Sequence, residues 1–111
     1  SKDYKFGKKF KVIYHIINEN DTDLEITSCE LQLSNNLDFI GVDKKSTINL
    51  EPSMSQGKYM WVKTFPLKSK SEIDLIIFLQ ASSLGEANIN FAVTSQNYYF
   101  NSEELNLNIT N

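Results

Sequence analysis

Apolar side chains recur at every second position along most of the chain. The clearest runs are Phe10–Ile17, Ala87–Thr94 and Leu105–Ile109, in which apolar residues alternate with mostly polar ones. In the first run the second face also carries Ile13 and Ile17. Because successive side chains of a β-strand point to opposite faces, a period of two predicts strands that bury one face. The pattern therefore indicates a sheet protein.

Polar, turn-forming residues separate these runs at intervals near ten residues. Eight strands are predicted, at residues 10–17, 24–33, 37–42, 47–50, 58–65, 73–79, 87–94 and 105–109. Short strands at this spacing are typical of a β-sandwich. We therefore expect an all-β fold, an immunoglobulin-like antiparallel β-sandwich of about seven to nine strands. Residues 10–111 would form this one domain, preceded by a basic lead-in at residues 1–9.

The strand at residues 24–33 changes phase along its length. Leu24 and Ile26 lie on one face of a regular strand, whereas Cys29, Leu31 and Leu33 lie on the other. A slip of one residue exchanges the two faces of a strand, so the pattern predicts a β-bulge near residues 27–28.

Residues 72–84 allow two interpretations. Residues 69–72 have the form of a helix N-terminal capping box, and Gly85 is placed as a helix stop. Against a helix, residues 73–79 are dense in β-branched and aromatic side chains over a length that suits a strand buried on both faces. We favour the strand.

Charge and hydropathy limit the classes of partner. All 11 basic residues are lysine, and the net charge is −3. Without arginine, and with an acidic balance, we expect no nucleic-acid partner. The longest apolar run, Leu75–Leu79, is far shorter than the roughly 20 residues that cross a bilayer, so we expect no membrane insertion.

The chain offers few groups for catalysis. His15 is the one histidine and Cys29 the one cysteine. His15 lies mid-strand on the face that also carries Lys11, Ile13 and Ile17, which favours a half-buried or surface histidine of the sheet, and no nucleophile signature accompanies Cys29. We predict that the protein is not an enzyme and needs no cofactor.

The turn at residues 18–25 holds the densest group of oxygen ligands. Asp21, Asp23 and Glu25 are the candidate metal ligands, because Ca²⁺ binds carboxylates presented by loops. The turn lacks the glycine and the spaced terminal glutamate of a calcium-binding loop, and acidic residues are common in solvated hairpins.

Aromatic residues supply the candidate binding surface. Tyr98, Tyr99 and Phe100 follow one another, and three successive side chains of a strand cannot all face inward. At least one of them should contact solvent or a partner. Trp61 is expected to fill the core, although with Tyr59 it could also form a platform for a sugar.

Two stretches resemble known β-sandwich families. The run from Gly7 to Asn18 is similar to the opening strand of immunoglobulin-like repeats. The second half of CARDB-like repeats of prokaryotic surface proteins is similar to Trp61, residues 67–71 with the apolar strand that follows, Gly85 and residues 89–95. Residues 39–41, 50–53 and 65–67 resemble the appendage domains of adaptins and TRAPP tethers. Both resemblances imply an immunoglobulin-like fold and carry over no catalytic residue.

These observations predict a non-catalytic module that serves as a protein–protein interaction domain or a structural spacer of a larger protein. Its partner would be another protein or a neighbouring domain of the same chain. The alternative is a carbohydrate- or calcium-dependent ligand-binding module of a secreted or surface protein. Both a cell-surface and a cytoplasmic location fit the sequence.

Overall fold

A computed structural model describes residues 2–96 and 98–111, without the side chains of residues 98–101. The described chain forms two sheets of mostly antiparallel strands and contains no helix, which confirms the all-β sandwich. No helix capable of crossing a membrane is therefore present in the described residues. The strands are β1 (Lys2–Lys5), β2 (Lys9–Asn18), β3 (Leu24–Leu33), β4 (Leu37–Val42), β5 (Ser53–Ser55), β6 (Lys58–Trp61), β7 (Phe65–Leu67), β8 (Ser71–Ala81), β9 (Gly85–Ser95) and β10 (Tyr98–Thr110).

The two sheets differ in size. The large sheet has seven strands in the order β1-β10-β9-β3-β6-β5, with β7 also paired to β3. The small sheet has three strands in the order β2-β8-β4. Strand β8 is its centre, paired along ten residues with β2 and along part of its length with β4.

The inward faces of the sheets form one hydrophobic core. In β2 and β9 every second residue is buried, as the alternation predicts. Trp61 is fully buried, as expected, and its indole Nε1 donates a hydrogen bond to the Leu50 carbonyl oxygen at 2.6 Å. The ring of Tyr14 in the small sheet stacks on Phe91 in the large sheet, with centroids 4.2 Å apart. These contacts hold the two sheets face to face.

Two predictions about irregular positions are confirmed. The register between β3 and β9 shifts between Ile26 and Ser28, where the change of phase predicts a bulge. Ser71–Ala81 is strand β8, and no helix forms in the residues that follow it. The apparent capping box at residues 69–72 instead contains a turn, in which Ser71 Oγ donates a hydrogen bond to the Lys68 carbonyl oxygen.

The described residues form ten strands rather than seven to nine, and the differences have local causes. Residues 47–50, predicted as a strand, are irregular because the buried Ser46 occupies the edge of β8 beside them. Its hydroxyl accepts a hydrogen bond from Ile76 N and contacts the carbonyl oxygens of Asp74 and Ile48. A side chain thus replaces part of a backbone ladder.

The predicted strand at residues 58–65 is divided into β6 and β7, which pair with different parts of β3. Pro66, which directly follows the predicted strand, lies within β7 opposite Glu25. Strand β7 lies outside the main order of the sheet and pairs with β3 alone, and a proline is tolerated where no ladder hydrogen bond is required.

Residues 2–5, expected to precede the sandwich as part of the lead-in, form strand β1. This strand pairs in parallel with β10, from Lys2 opposite Leu107 to Lys5 opposite Thr110. Its lysines remain exposed, and the half-buried ring of Tyr4 stacks on Phe10 at 4.1 Å. This apolar contact fixes the strand against the sandwich.

Candidate functional site

The outer face of the small sheet carries large apolar side chains. Inward Leu75, Ile77 and Leu79 alternate with outward residues along β8, and β2 alternates in the same way. Ile13, Ile17 and Ile40 are 46%, 47% and 48% exposed. The half-buried Ile76 and Phe78 lie beside them, on the rungs of Ile13 and Lys11. The name apolar face is used below for Ile13, Ile17, Ile40, Ile76 and Phe78.

Exposure of this face differs from the expectation for β8. The apolar run at residues 73–79 predicts a strand buried on both sides, as in sheets that are covered on both faces. In the structure the core covers one side completely, whereas Ile76 and Phe78 on the other side are only half-buried. The apolar content of β8 therefore exceeds what the core of one chain uses.

Lysines border the apolar face at one end. The Nζ atoms of Lys9 and Lys11 lie 4.9 and 5.6 Å from the centre of the Phe78 ring, within the range of a cation–π interaction. Lys11 also forms an ion pair with Asp43 at 3.4 Å. Hydrogen bonding to Lys45 N is the main cause that lowers the pKa of Asp43, so this carboxylate stays charged at neutral pH.

A histidine and two carboxylates lie on the same outer face, where the rung of His15 and Asp74 separates Ile13 from Ile17, and Glu72 is opposite Ile17. His15 is opposite Asp74 in the ladder between β2 and β8, and Glu72 is on the next outward position of β8. His15 Nδ1 lies 2.8 Å from Asp74 Oδ1 and 2.8 Å from Glu72 Oε2. Hydrogen bonding to Asp74, and then to Glu72, raises the pKa of His15.

The backbone of Asp74 is fixed on both sides. Besides its ladder to β2, its N–H donates a hydrogen bond to Thr47 Oγ1, and its carbonyl oxygen accepts hydrogen bonds from Ile48 N and Ser46 Oγ. Because Ser46 and Ile48 are buried, this segment anchors Asp74 from the core. The carboxylate beside His15 thus projects from a rigid position.

In the turn with Asp21, Asp23 and Glu25, two of the three carboxylates contact residues of the connection between β7 and β8. Asp23 Oδ1 accepts a hydrogen bond from Ser69 N at 2.8 Å, and Asp21 lies 3.5 Å from Lys70 Nζ. Glu25 is exposed on β3. In the described part of the chain, a different group has the spacing that could hold a metal ion. It consists of His15, Glu72 and Asp74, whose ligand atoms lie within 4.8 Å of one another.

The aromatic candidates have separate environments. The side chains of Tyr98, Tyr99 and Phe100 lie outside the described residues, so their proposed contact role stays a prediction. Trp61 is buried in the core and leaves no face for a sugar. Tyr59 is half-buried and stacks on Phe39, with ring centres 4.7 Å apart.

His15 and Cys29 are on different sheets. His15 is exposed on the outer face of the small sheet, whereas Cys29 is buried on the inner side of the large sheet. Burial raises the pKa of Cys29 to about 12, so its thiol stays protonated at neutral pH. The two groups form no catalytic pair, and of the half-buried and surface environments that the sequence allows for His15, the structure shows the surface one.

A groove of about 350 Å³ opens between the two sheets at the edge formed by β1, β10 and β2. Tyr14, Glu103 and Lys2 are among its lining residues. The Tyr14 hydroxyl is buried and has no hydrogen-bond partner among the described residues. Burial, and then the charge of Glu103, raise the pKa of Tyr14, so the phenol stays protonated.

No protein-family model matches the chain, and a comparison with curated proteins finds no match.

Proposed function

We propose that this chain is a non-catalytic protein-interaction module that associates through the outer face of its small sheet, with the same face of a second copy as its partner. The observation that carries the proposal is the exposure of the apolar face, with three isoleucines about half exposed on one sheet. Contiguous apolar surface marks interaction sites, whereas single exposed apolar residues need no explanation. Ile13 lies beside Ile76, next to the rung of Phe78, and Ile17 follows one rung beyond His15.

Face-to-face packing of two sheets supplies the kind of contact this face needs. Sheets in a sandwich pack about 10 Å apart with interdigitating side chains. Removing apolar surface from water contributes about 25 cal/mol per Å². The gain would be greatest at the rung formed by Ile13 and Ile76, which lies midway along the pairing of β2 with β8.

The charges around the apolar face favour a second copy as the occupant. Lys9 and Lys11 lie on one side of the central rung, and Asp74 and Glu72 lie on the other. A two-fold axis over that rung, perpendicular to the strands, would set the lysine end of each copy above the acidic end of the other. An isologous interface requires such a self-complementary surface.

Association is tested by sedimentation equilibrium over a wide range of protein concentration, comparing the native chain with two lysine variants. Ile13→Lys introduces a charge at the centre of the apolar face. Ala92→Lys introduces the same charge on the outer side of β9, in the large sheet, and serves as the matched control. We expect the native chain and Ala92→Lys to form dimers and Ile13→Lys to remain monomeric, each folded by circular dichroism.

A native chain that stays monomeric at every concentration would overturn the proposal. Dimers that tolerate Ile13→Lys as well as they tolerate Ala92→Lys would also overturn it, because association would then use another surface. Ile40→Lys provides a second folded variant should Ile13→Lys prove unstable, since Ile40 is exposed at the bulge of β4 and pairs with no residue of β8.

A further inference from the structure

One imidazole and two carboxylates converge at the acidic end of the small sheet. The ligand atoms of His15, Glu72 and Asp74 all lie within 4.8 Å of one another. All three residues project from two neighbouring strands whose ladder runs unbroken from Lys9 to Asn18. The side chains are roughly one-third to one-half exposed, so solvent ions reach them.

A single proton on the imidazole accounts for only part of the arrangement of His15, Glu72 and Asp74. His15 Nδ1 carries at most one hydrogen, yet two carboxylate oxygens lie 2.8 Å from it. When the imidazole is neutral, the group carries two negative charges held close together. A divalent cation among the three ligand atoms would neutralise both carboxylates and bind the imidazole nitrogen at the same time.

We propose that His15, Glu72 and Asp74 form a binding site for a divalent transition-metal cation, and that Zn²⁺ is the ion they suit. The three ligands are not members of the apolar face, and zinc binding requires only one chain, although Glu72 and Asp74 would also face lysines of the second copy in the proposed dimer. One ion would bind per chain, because a single chain supplies all three ligands.

Ligand type and distance both favour zinc over the hard cations. Imidazole nitrogen and carboxylate oxygen are zinc ligands, whereas Ca²⁺ and Mg²⁺ take oxygen ligands. Zinc bonds of about 2.0–2.1 Å in tetrahedral geometry separate ligand atoms by about 3.3 Å. The two observed distances from Nδ1 are 2.8 Å, so small side-chain rotations open the site to this size.

Rigidity supplies an independent reason to place the site here. The backbone of Asp74 is fixed by hydrogen bonds to Thr47, Ile48 and Ser46 in addition to the ladder with β2. Ligands on fixed strands lose little conformational freedom on binding. The three positions are therefore already close to the geometry of the complex.

Zinc binding is measured by isothermal titration calorimetry on the full chain without a histidine tag. We expect saturable binding of one Zn²⁺ per chain, and weaker binding below the pKa of His15, where protons compete for the imidazole. Co²⁺ should give visible absorption bands from an imidazole–carboxylate site. Ca²⁺ and Mg²⁺ should bind far more weakly than Zn²⁺.

Three variants distinguish this site from other surface carboxylates. His15→Ala and Asp74→Asn each remove one ligand and should weaken zinc binding by at least about tenfold. Asp21→Asn removes an exposed carboxylate that is not one of the three ligands and should leave zinc binding unchanged. Absence of zinc binding, or zinc binding that persists in His15→Ala, would mean that the group is only an ion pair.

Discussion

The outer faces of the two sheets differ although both sheets bury their inner faces in the same way. On the large sheet the outward rungs of β3, β9 and β10 are almost entirely polar: Glu30, Ala92 and Ser102 on one rung, Gln32, Asn90 and Glu104 on the next, and Asn88 with Asn106 on a third. On the small sheet the outward rungs of β2 and β8 carry Ile13, Ile17, Ile76 and Phe78 among lysines, a histidine and acidic residues. The outer face of the large sheet suits water, and that of the small sheet combines charged groups with large apolar side chains.

This difference distinguishes the apolar surface that the core requires from the apolar surface that the core does not use. An antiparallel sheet needs only one apolar face to form a core, and its other face is commonly polar. The large sheet follows that rule, so its outer face adds little to stability. The small sheet departs from it at Ile13, Ile17 and Ile40, whose side chains are about half exposed. We infer that these residues serve an interaction.

The largest effect should distinguish the inner and outer sides of the small sheet. Ile77→Ala opens a cavity at a fully buried position and should lower the free energy of unfolding by about 2–5 kcal/mol. Ile13→Ala, at a half-exposed position, should lower it by no more than about 1 kcal/mol. Urea unfolding followed by Trp61 fluorescence, in dilute monomer, measures both. Equal losses would show that the apolar face stabilises the monomer itself.

A smaller effect should follow from the charges that border the apolar face. Lys9→Glu places like charges together across the proposed two-fold axis and should weaken dimerisation about tenfold. Adding Glu72→Lys to this variant restores opposite charges and should recover most of the affinity. Sedimentation at low and high salt measures the effect, which should shrink as salt screens the charges. No recovery in the double variant would contradict the two-fold arrangement.

The smallest effect should be a pH dependence confined to the small sheet, which carries the one histidine of the chain. Hydrogen bonds to Asp74 and Glu72 raise the pKa of His15 from its ordinary value of 6.5. The stability that these bonds contribute is therefore fully present below that value and is lost as pH rises through the pKa in the folded state. Above it, the acidic end gains net negative charge.

Titration of the single imidazole by NMR measures this pKa directly, and the melting temperature measured against pH gives its effect on stability. His15→Gln should flatten the dependence near neutral pH, while the large sheet remains unaffected. An imidazole pKa at or below its ordinary value would show that the two carboxylates do not bind the protonated ring in solution.

The sequence predicts strands β2 and β9 because each one repeats a simple period. Strand β2 alternates over its whole length, β9 does the same, and the phase change in β3 reveals its bulge. Residues 47–50 are predicted as a strand, and Ile48 is indeed fully buried. The segment is nevertheless irregular, because Ser46 forms the hydrogen bonds that a strand would form. The alternation of apolar and polar residues indicates which side chains are buried. It does not indicate which group forms hydrogen bonds with the backbone.

The sequence does not predict strand β1, for a related reason. Its four residues are charged or aromatic and show no apolar alternation, so only pairing with β10 makes them a strand. Short edge strands commonly carry lysine, which limits pairing with other chains. A basic segment is therefore compatible with both a solvated arm and an edge strand.

The acidic end of the small sheet could not be found from sequence. His15 and Asp74 are 59 residues apart, and neither has a local motif. Their proximity depends on β2 pairing with β8 in one register, which is a property of topology rather than of periodicity. A shift of one residue would point His15 into the core, so the same apolar alternation that fixes the fold also fixes this cluster.

The pairing of β1 with β10 has a mechanical consequence. These strands run in the same direction, from Lys2 opposite Leu107 to Lys5 opposite Thr110, and Phe6 N extends the contact with a hydrogen bond to the Thr110 carbonyl oxygen at 2.7 Å. Pulling the first and last residues apart would slide β1 and β10 along each other and load all these hydrogen bonds at once. Strand β1, although it is only four residues long, would thus resist separation of the first and last residues under force.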